Sequence, residues 1–253
     1  MSMQALVNPV PPRSWRVVAG SYGQELVILG ALIVLFVGVG LYNPPFLSTN
    51  SPTSIFVGNA FLAIAAIGMS LVIVSGNIDV SVGSLIGVLG TIAGTLAVNG
   101  YPIIVCWLLP ILIGVVINAL VGVLVAYARI PSIVVTLGML SILKGGLISA
   151  TGGAWIGNLP PAFMIAQFRL FGLPSSVYFM VILTVAAALW MRHSAFGRTI
   201  YAIGGNPEAA RVTGIRIERS VVAVFAIHGM FAGIAAILFA TQLQVIQSTV
   251  PPN

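Results

Sequence analysis

An all-α, polytopic membrane helical bundle is the fold class that this sequence predicts, and three features predict it. Of 253 residues, 59% are hydrophobic and 6% charged, against roughly 25% charged in a soluble domain. The mean hydropathy is +1.13, and 28 glycines suit helices whose backbones approach closely in lipid. Apolar runs near the ~20 residues that cross a bilayer recur at 26–42, 55–75, 80–98, 103–127, 132–150, 177–191 and 221–243, so about seven transmembrane helices are expected.

Taken in chain order, the first run follows Arg13 and Arg16 like a signal peptide, but it is long and no small-x-small cleavage site follows. It reads as an uncleaved first helix with a cytoplasmic N-terminus. On that orientation Arg13, Arg16, Arg129, Arg192, Arg198, Arg211, Arg216 and Arg219 fall inside, Arg169 falls outside, and Lys144 lies within a span, the bias that the positive-inside rule requires. The third run carries Gly83, Gly87, Gly90 and Gly94 on one helical stripe, and the fourth carries Gly114, Asn118 and Gly122 on another. Small residues so spaced let helices pack closely, with ligand contact as the alternative. In the fifth run Lys144 either snorkels to the surface or faces a pathway, on a face it is expected to share with Thr136.

Pro and Gly punctuate the outer segments 43–52 and 151–176. The second holds Trp155, Phe163, Phe168 and Phe171, an interfacial belt or the rim of a pathway mouth. His228 in the last run reads either as an interhelical hydrogen-bonding residue or as a proton relay. Gln242, Gln244 and Gln247 suit an interfacial exit.

Enzyme chemistry finds little material. The acidic residues are Glu25, Asp79, Glu208 and Glu218, the one cysteine is Cys106 in an apolar run, and His193 and His228 lie far apart. No paired-carboxylate catalyst, disulfide framework or metal ligand set can be assembled, and no cofactor is expected on this chain. The net charge of +6 reports orientation, so it calls for no nucleic acid.

Two places carry chemistry. The first is SGNIDVSVGS, Ser75–Ser84, where Asn77, Asp79, Ser81 and Ser84 stand between two spans with hardly any loop. Polar groups at that depth cost several kcal/mol unless partnered or hydrated. They line a solute path, or Asp79 caps the third helix. The second lies within 192–220, where Asn206 suits an N-cap, Pro207 the first helical position, Glu208 the helix dipole and Gly214 a C-terminal stop. The spacing predicts a helix of about two turns, which is marginal alone in water. It either docks on a cytoplasmic partner or lies as a solvated loop helix.

Glu208, Ala209, Ala210 and Gly214 form EAA-x-x-x-G, which resembles the signature loop of permease subunits of binding-protein-dependent ABC importers. With FGRTIYAIGGN before it, and with SGNIDVSVGS and RIPSIVVTLGML upstream, the chain is similar to the sugar permeases of the ribose, xylose, rhamnose and autoinducer-2 group. The resemblance implies one permease domain over 1–253 in a bacterial inner membrane, with a coupling loop at 192–220 and an outer loop at 151–176. It implies that Asn206, Pro207, Glu208, Ala209, Ala210, Arg211 and Gly214 form a coupling helix seated on a separate ATPase subunit, which uses ATP and Mg. A solute-binding protein, a second permease copy or relative, lipid and a small sugar are the other implied partners. No G-x-x-x-x-G-K-[ST] motif occurs here, so the chain is not itself expected to be an enzyme. Members of that group continue through more spans, so the sequence reads as a C-terminally truncated permease. The rivals are a secondary transporter using Asp79, Lys144 and His228, and an inactive permease fragment.

Overall fold

Helices account for the apolar runs. The structure, a computed structural model, describes residues 23–47, 50–242 and 246–247; Arg13, Arg16 and Gln244 lie outside them. By internal contacts the chain divides into two units, 1–54 and 55–253. In the first, α1 (Gly23–Tyr42) is followed by a 3-10 turn at Pro44–Leu47, and Phe36 packs on Phe46 with ring centroids 5.1 Å apart.

The remaining helices are α2 (Asn50–Val74), α3 (Val82–Val98), α4 (Ile103–Ala126), α5 (Ser132–Thr151), α6 (Ser175–His193), α7 (Ala195–Gly205), α8 (Pro207–Val212) and α9 (Ile217–Gln242). Among the described residues five helices are long and apolar enough to cross a membrane, with shorter apolar helices at Leu26–Tyr42 and Val82–Val98. Each of the seven apolar runs thus forms a helix, and the fold is an all-α polytopic membrane bundle.

The core is built on α9, and its closest neighbour is α4. A Cβ on Gly114 would stand 2.6 Å from the Gly229 carbonyl oxygen, and one on Gly229 would meet the Gly114 carbonyl. Farther along, a Cβ on Gly233 would stand 2.6 Å from Ile111 Cα, and one on Gly122 would stand 2.9 Å from Val222 Cα. Contacts that climb one helix while descending the other make the pair antiparallel. The second glycine stripe therefore sets the close approach of α4 to α9. Gly90 of the first stripe faces Ala236 and Ala240 of α9, Gly94 faces Ile246, Gly87 meets Leu147 of α5, and Gly83 is half-buried.

Around this contact Leu85, Leu89, Val121, Val224, Phe225 and Ala232 form the main core. A second cluster of Ala93, Ala97, Cys106, Phe163 and Ala240 closes the end of the bundle where 151–176 folds back. The 151–176 segment is fastened to it, since Ala166 N–H donates to Thr241 Oγ at 3.3 Å and Gln167 Nε2 donates to the Gln242 carbonyl at 3.3 Å. Phe163 is fully buried while Trp155, Phe168 and Phe171 are exposed. The four aromatics therefore do not form one belt, because a 3-10 turn at Pro161–Phe163 tucks one of them inside. Within that loop, β2 (Arg169–Leu170) and β3 (Leu173–Pro174) pair as a hairpin, while β1 (Trp155–Ile156) pairs with β4 (Ile246–Gln247).

On α5, Thr136 is fully buried and Lys144 is exposed. The shared polar face is thus not formed: eight residues at 3.6 per turn leave the two side chains about a quarter turn apart.

Helix contact through glycine makes a sharp prediction. Gly229→Ala pushes a methyl group into the facing backbone, so it should destabilise the protein by at least about 1–3 kcal/mol. Gly138→Ala, where nothing lies within 4 Å, should be neutral or stabilising by helix propensity. Thermal unfolding in detergent separates them; equal melting of the two variants contradicts the assignment.

Candidate functional site

At the end of α2 the chain stops by a local device. Gly76 takes φ +83°, its N–H bonds the Ile73 carbonyl at 2.9 Å, and Asn77 N–H reaches the Val72 carbonyl at 3.0 Å. This is a Schellman motif, which needs a left-handed residue at its centre. Ser75 Oγ donates to the Val72 carbonyl at 2.7 Å and accepts from Asn77 Nδ2 at 3.1 Å. Ile78 N–H then reaches Ser132 Oγ at 3.2 Å, tying the turn to the first residue of α5.

Asp79 comes next, fully buried. Its Oδ1 accepts the Ser81 N–H at 2.8 Å and the Ser81 hydroxyl at 2.6 Å, so the carboxylate is anchored just before α3. Its other oxygen lies 3.3 Å from His228 Nε2, and His228 is fully buried too. The approach is at ion-pair distance without an aligned hydrogen bond, and His228 Nδ1 has no partner. That ring lies against α2, where a Cβ on Gly68 would stand 2.6 Å from Nδ1. Among the described residues this is the buried pair of ionisable side chains. A buried charge is tolerated only when it is paired and hydrogen-bonded, and removing one partner of such a pair typically costs about 3–5 kcal/mol.

The four polar residues of this region therefore divide. Asp79, Ser81 and Ser84 are packed inside. Half-buried Asn77 instead borders a cavity of about 590 Å³ shared with Arg129, Gly204, Pro207, Arg211 and Glu218. Asn118 is also buried, with neither atom of its amide partnered.

That cavity joins the turn to the second candidate region. Asn206 Oδ1 accepts the Ala209 N–H at 3.0 Å, Pro207 takes the first position of α8, and Glu208 lies in the first turn. Gly214, at φ +85°, ends the helix with the Ile215 N–H on the Ala210 carbonyl at 3.2 Å, a second Schellman motif. Only Ala210 of α8 is buried; Glu208, Ala209, Arg211 and Val212 are exposed, Val212 at 89%. Arg211 Nη2 meets Glu218 Oε1 of α9 at 3.1 Å, a partly exposed pair of the kind that contributes about 0–1 kcal/mol.

Sequence reasoning missed three features here. It anticipated one short helix in this segment, whereas α7 precedes it. The signal was present: Ser194 accepts the Gly197 N–H at 2.9 Å as an N-cap, and Ile200 and Ile203 are buried on one face. The exposure of Val212 and the pairing of Asp79 with His228 required the fold.

A protein-family model described as branched-chain amino acid transport system / permease component matches residues 51–253. The autoinducer 2 import system permease protein LsrC of Salmonella typhi is 36% identical over 224 residues, covering 88% of this chain and 65% of that protein. LsrC of Escherichia coli O9:H4 (strain HS) is 36% identical over 225 residues, covering 88% of this chain and 66% of that protein. The chain thus spans just under two thirds of the length of these curated relatives. No solved structure matches. A bundle of apolar helices carrying the capped Asn206–Gly214 segment, matched by the family model over most of its length, belongs to this family of transport-system permease components, membrane proteins rather than enzymes.

Proposed function

We propose that this chain is the membrane-spanning permease subunit of an ATP-driven ABC importer, moving a monosaccharide or similar small polyol inward by alternating access. The observation that carries the reading is α8. A six-residue helix is too short to persist alone in water, yet here both ends are capped and Ala210 anchors it, while Val212 presents a bare isopropyl group. A rigid cytoplasmic helix with an exposed apolar side chain suits docking into a groove of a separate ATPase subunit. That subunit supplies the ATP and Mg chemistry. The names of the relatives speak of autoinducer 2 import, which supports the inward direction, and a solute-binding protein delivering the solute is part of the same proposal. A second permease copy or relative completes the path, and lipid surrounds the exposed faces of α5 and α6. In this reading 1–253 acts as one permease domain, with Asn206–Gly214 as its coupling element and Asn77–Ser84 as a pivot near the path.

A second reading is secondary transport coupled to protons. The buried Asp79–His228 pair favours it, since ionisable groups inside a membrane protein often carry ions. Lys144, its third expected member, stands exposed on α5, away from the pair.

The docking reading predicts that Val212→Glu, at a site already in water, leaves expression and melting temperature unchanged. The same variant should lower co-purification of the co-expressed ATPase subunit by about tenfold, the effect of 1.4 kcal/mol at an interface. Undiminished co-purification contradicts the assignment of α8 as the docking helix.

A further inference from the structure

We infer that His228 is a positioning residue for energy coupling: through Asp79 it fastens the middle of α9 to the turn on which the cytoplasmic segment rests. The inference deepens the ABC reading and rests on it.

Contacts carry the argument in a closed ring. Gly204, near the end of α7, lies on the Val74 carbonyl so closely that a Cβ there would overlap the oxygen. Two residues later Asn206 caps α8, so α7 and α8 press on the end of α2 as one piece. From Val74 the Schellman turn leads to Asp79 in five residues, and Ser81 holds the carboxylate by two hydrogen bonds. The other oxygen meets His228, ten residues beyond Glu218 and therefore about 15 Å along α9 at 1.5 Å per residue. Glu218 returns to α8 through Arg211. A displacement of the cytoplasmic segment thus reaches α9 by two routes, one at its exposed start and one deep in the bundle.

Chemistry indicates why the deep route is polar. Well-packed apolar side chains would hold α3 on α9 at least as firmly as a buried pair does. A buried ion pair at 3.3 Å differs in that a small shift makes or breaks it, which suits a two-state element. The imidazole is walled by Gly68 of α2, so a shift of α2 acts on His228 directly as well as through Asp79.

The test reads motion at two places and needs no knowledge of the solute. The permease is reconstituted with its co-expressed ATPase subunit, with Cys106→Ser removing the native thiol. An environment-sensitive fluorophore is attached at Tyr201→Cys on α7 or at Asn99→Cys beyond α3, both exposed positions. ATP should shift both reporters in the otherwise unaltered protein. In Asp79→Asn/His228→Leu, which leaves no orphaned charge inside, the α7 reporter should still respond. The Asn99 reporter should lose at least about fivefold of its response, the low end of coupling between sites. His228→Gln, which keeps a donor near the Nε2 position, should restore it. An undiminished Asn99 response in the double variant overturns the inference alone. No ATP response at either reporter before the pair is altered overturns the ABC reading and the inference together.

Discussion

The backbone contact between α4 and α9 is the constraint on which the rest of the structure depends. Lipid offers no hydrophobic drive for helix association, so close van der Waals approach must supply it. Gly114 and Gly229 permit that approach by presenting each other only backbone. With α9 held there, Ala232, Ala235 and Ala236 are fully buried. The same placement brings His228, one residue before Gly229, to the level of Asp79.

Among the described buried polar side chains, Ser75 and Thr136 bind nearby carbonyls, while Thr91, Asn118 and Ser176 have no hydrogen-bond partner. Asp79 holds a local partner and a distant one: Ser81, two residues on, and His228, far from it. The local contacts fix the start of α3, and the distant one fixes that start to α9. Without the histidine the carboxylate would be a buried charge lacking its counterpart. The α7–α8 segment sits against this arrangement through Gly204 and Val74, which makes two stretches some 130 residues apart in the chain parts of one assembly.

Much of this was legible in the sequence, for physical reasons. Membrane helices satisfy their own backbone groups, so hydropathy alone located all seven apolar helices. Capping is likewise local, and Asn206, Pro207 and Gly214 occupy the positions that their chemistry favours. What escaped was non-local. Nothing in the spacing of Asp79 and His228 announces that they meet, since 149 positions separate them. The fate of Phe163 depends on how a Pro-rich loop folds back. Lys144 and Thr136 were assigned one face by approximate periodicity, and the remaining quarter turn separates them. The two glycine stripes read alike as packing signals, but closest approach is a property of two facing surfaces, and α9 offers its own glycines opposite α4.

The proposed drive from the cytoplasmic side rests on family membership, a short capped helix with an exposed apolar side chain, and a buried pair linking that helix's support to the core. The most direct test is uptake of labelled monosaccharides into membrane vesicles containing the permease and its co-expressed ATPase and solute-binding partners, with ATP hydrolysis and the proton gradient blocked in turn. The account predicts uptake that stops with vanadate and persists with a protonophore. Uptake that collapses with the protonophore and ignores vanadate would contradict it.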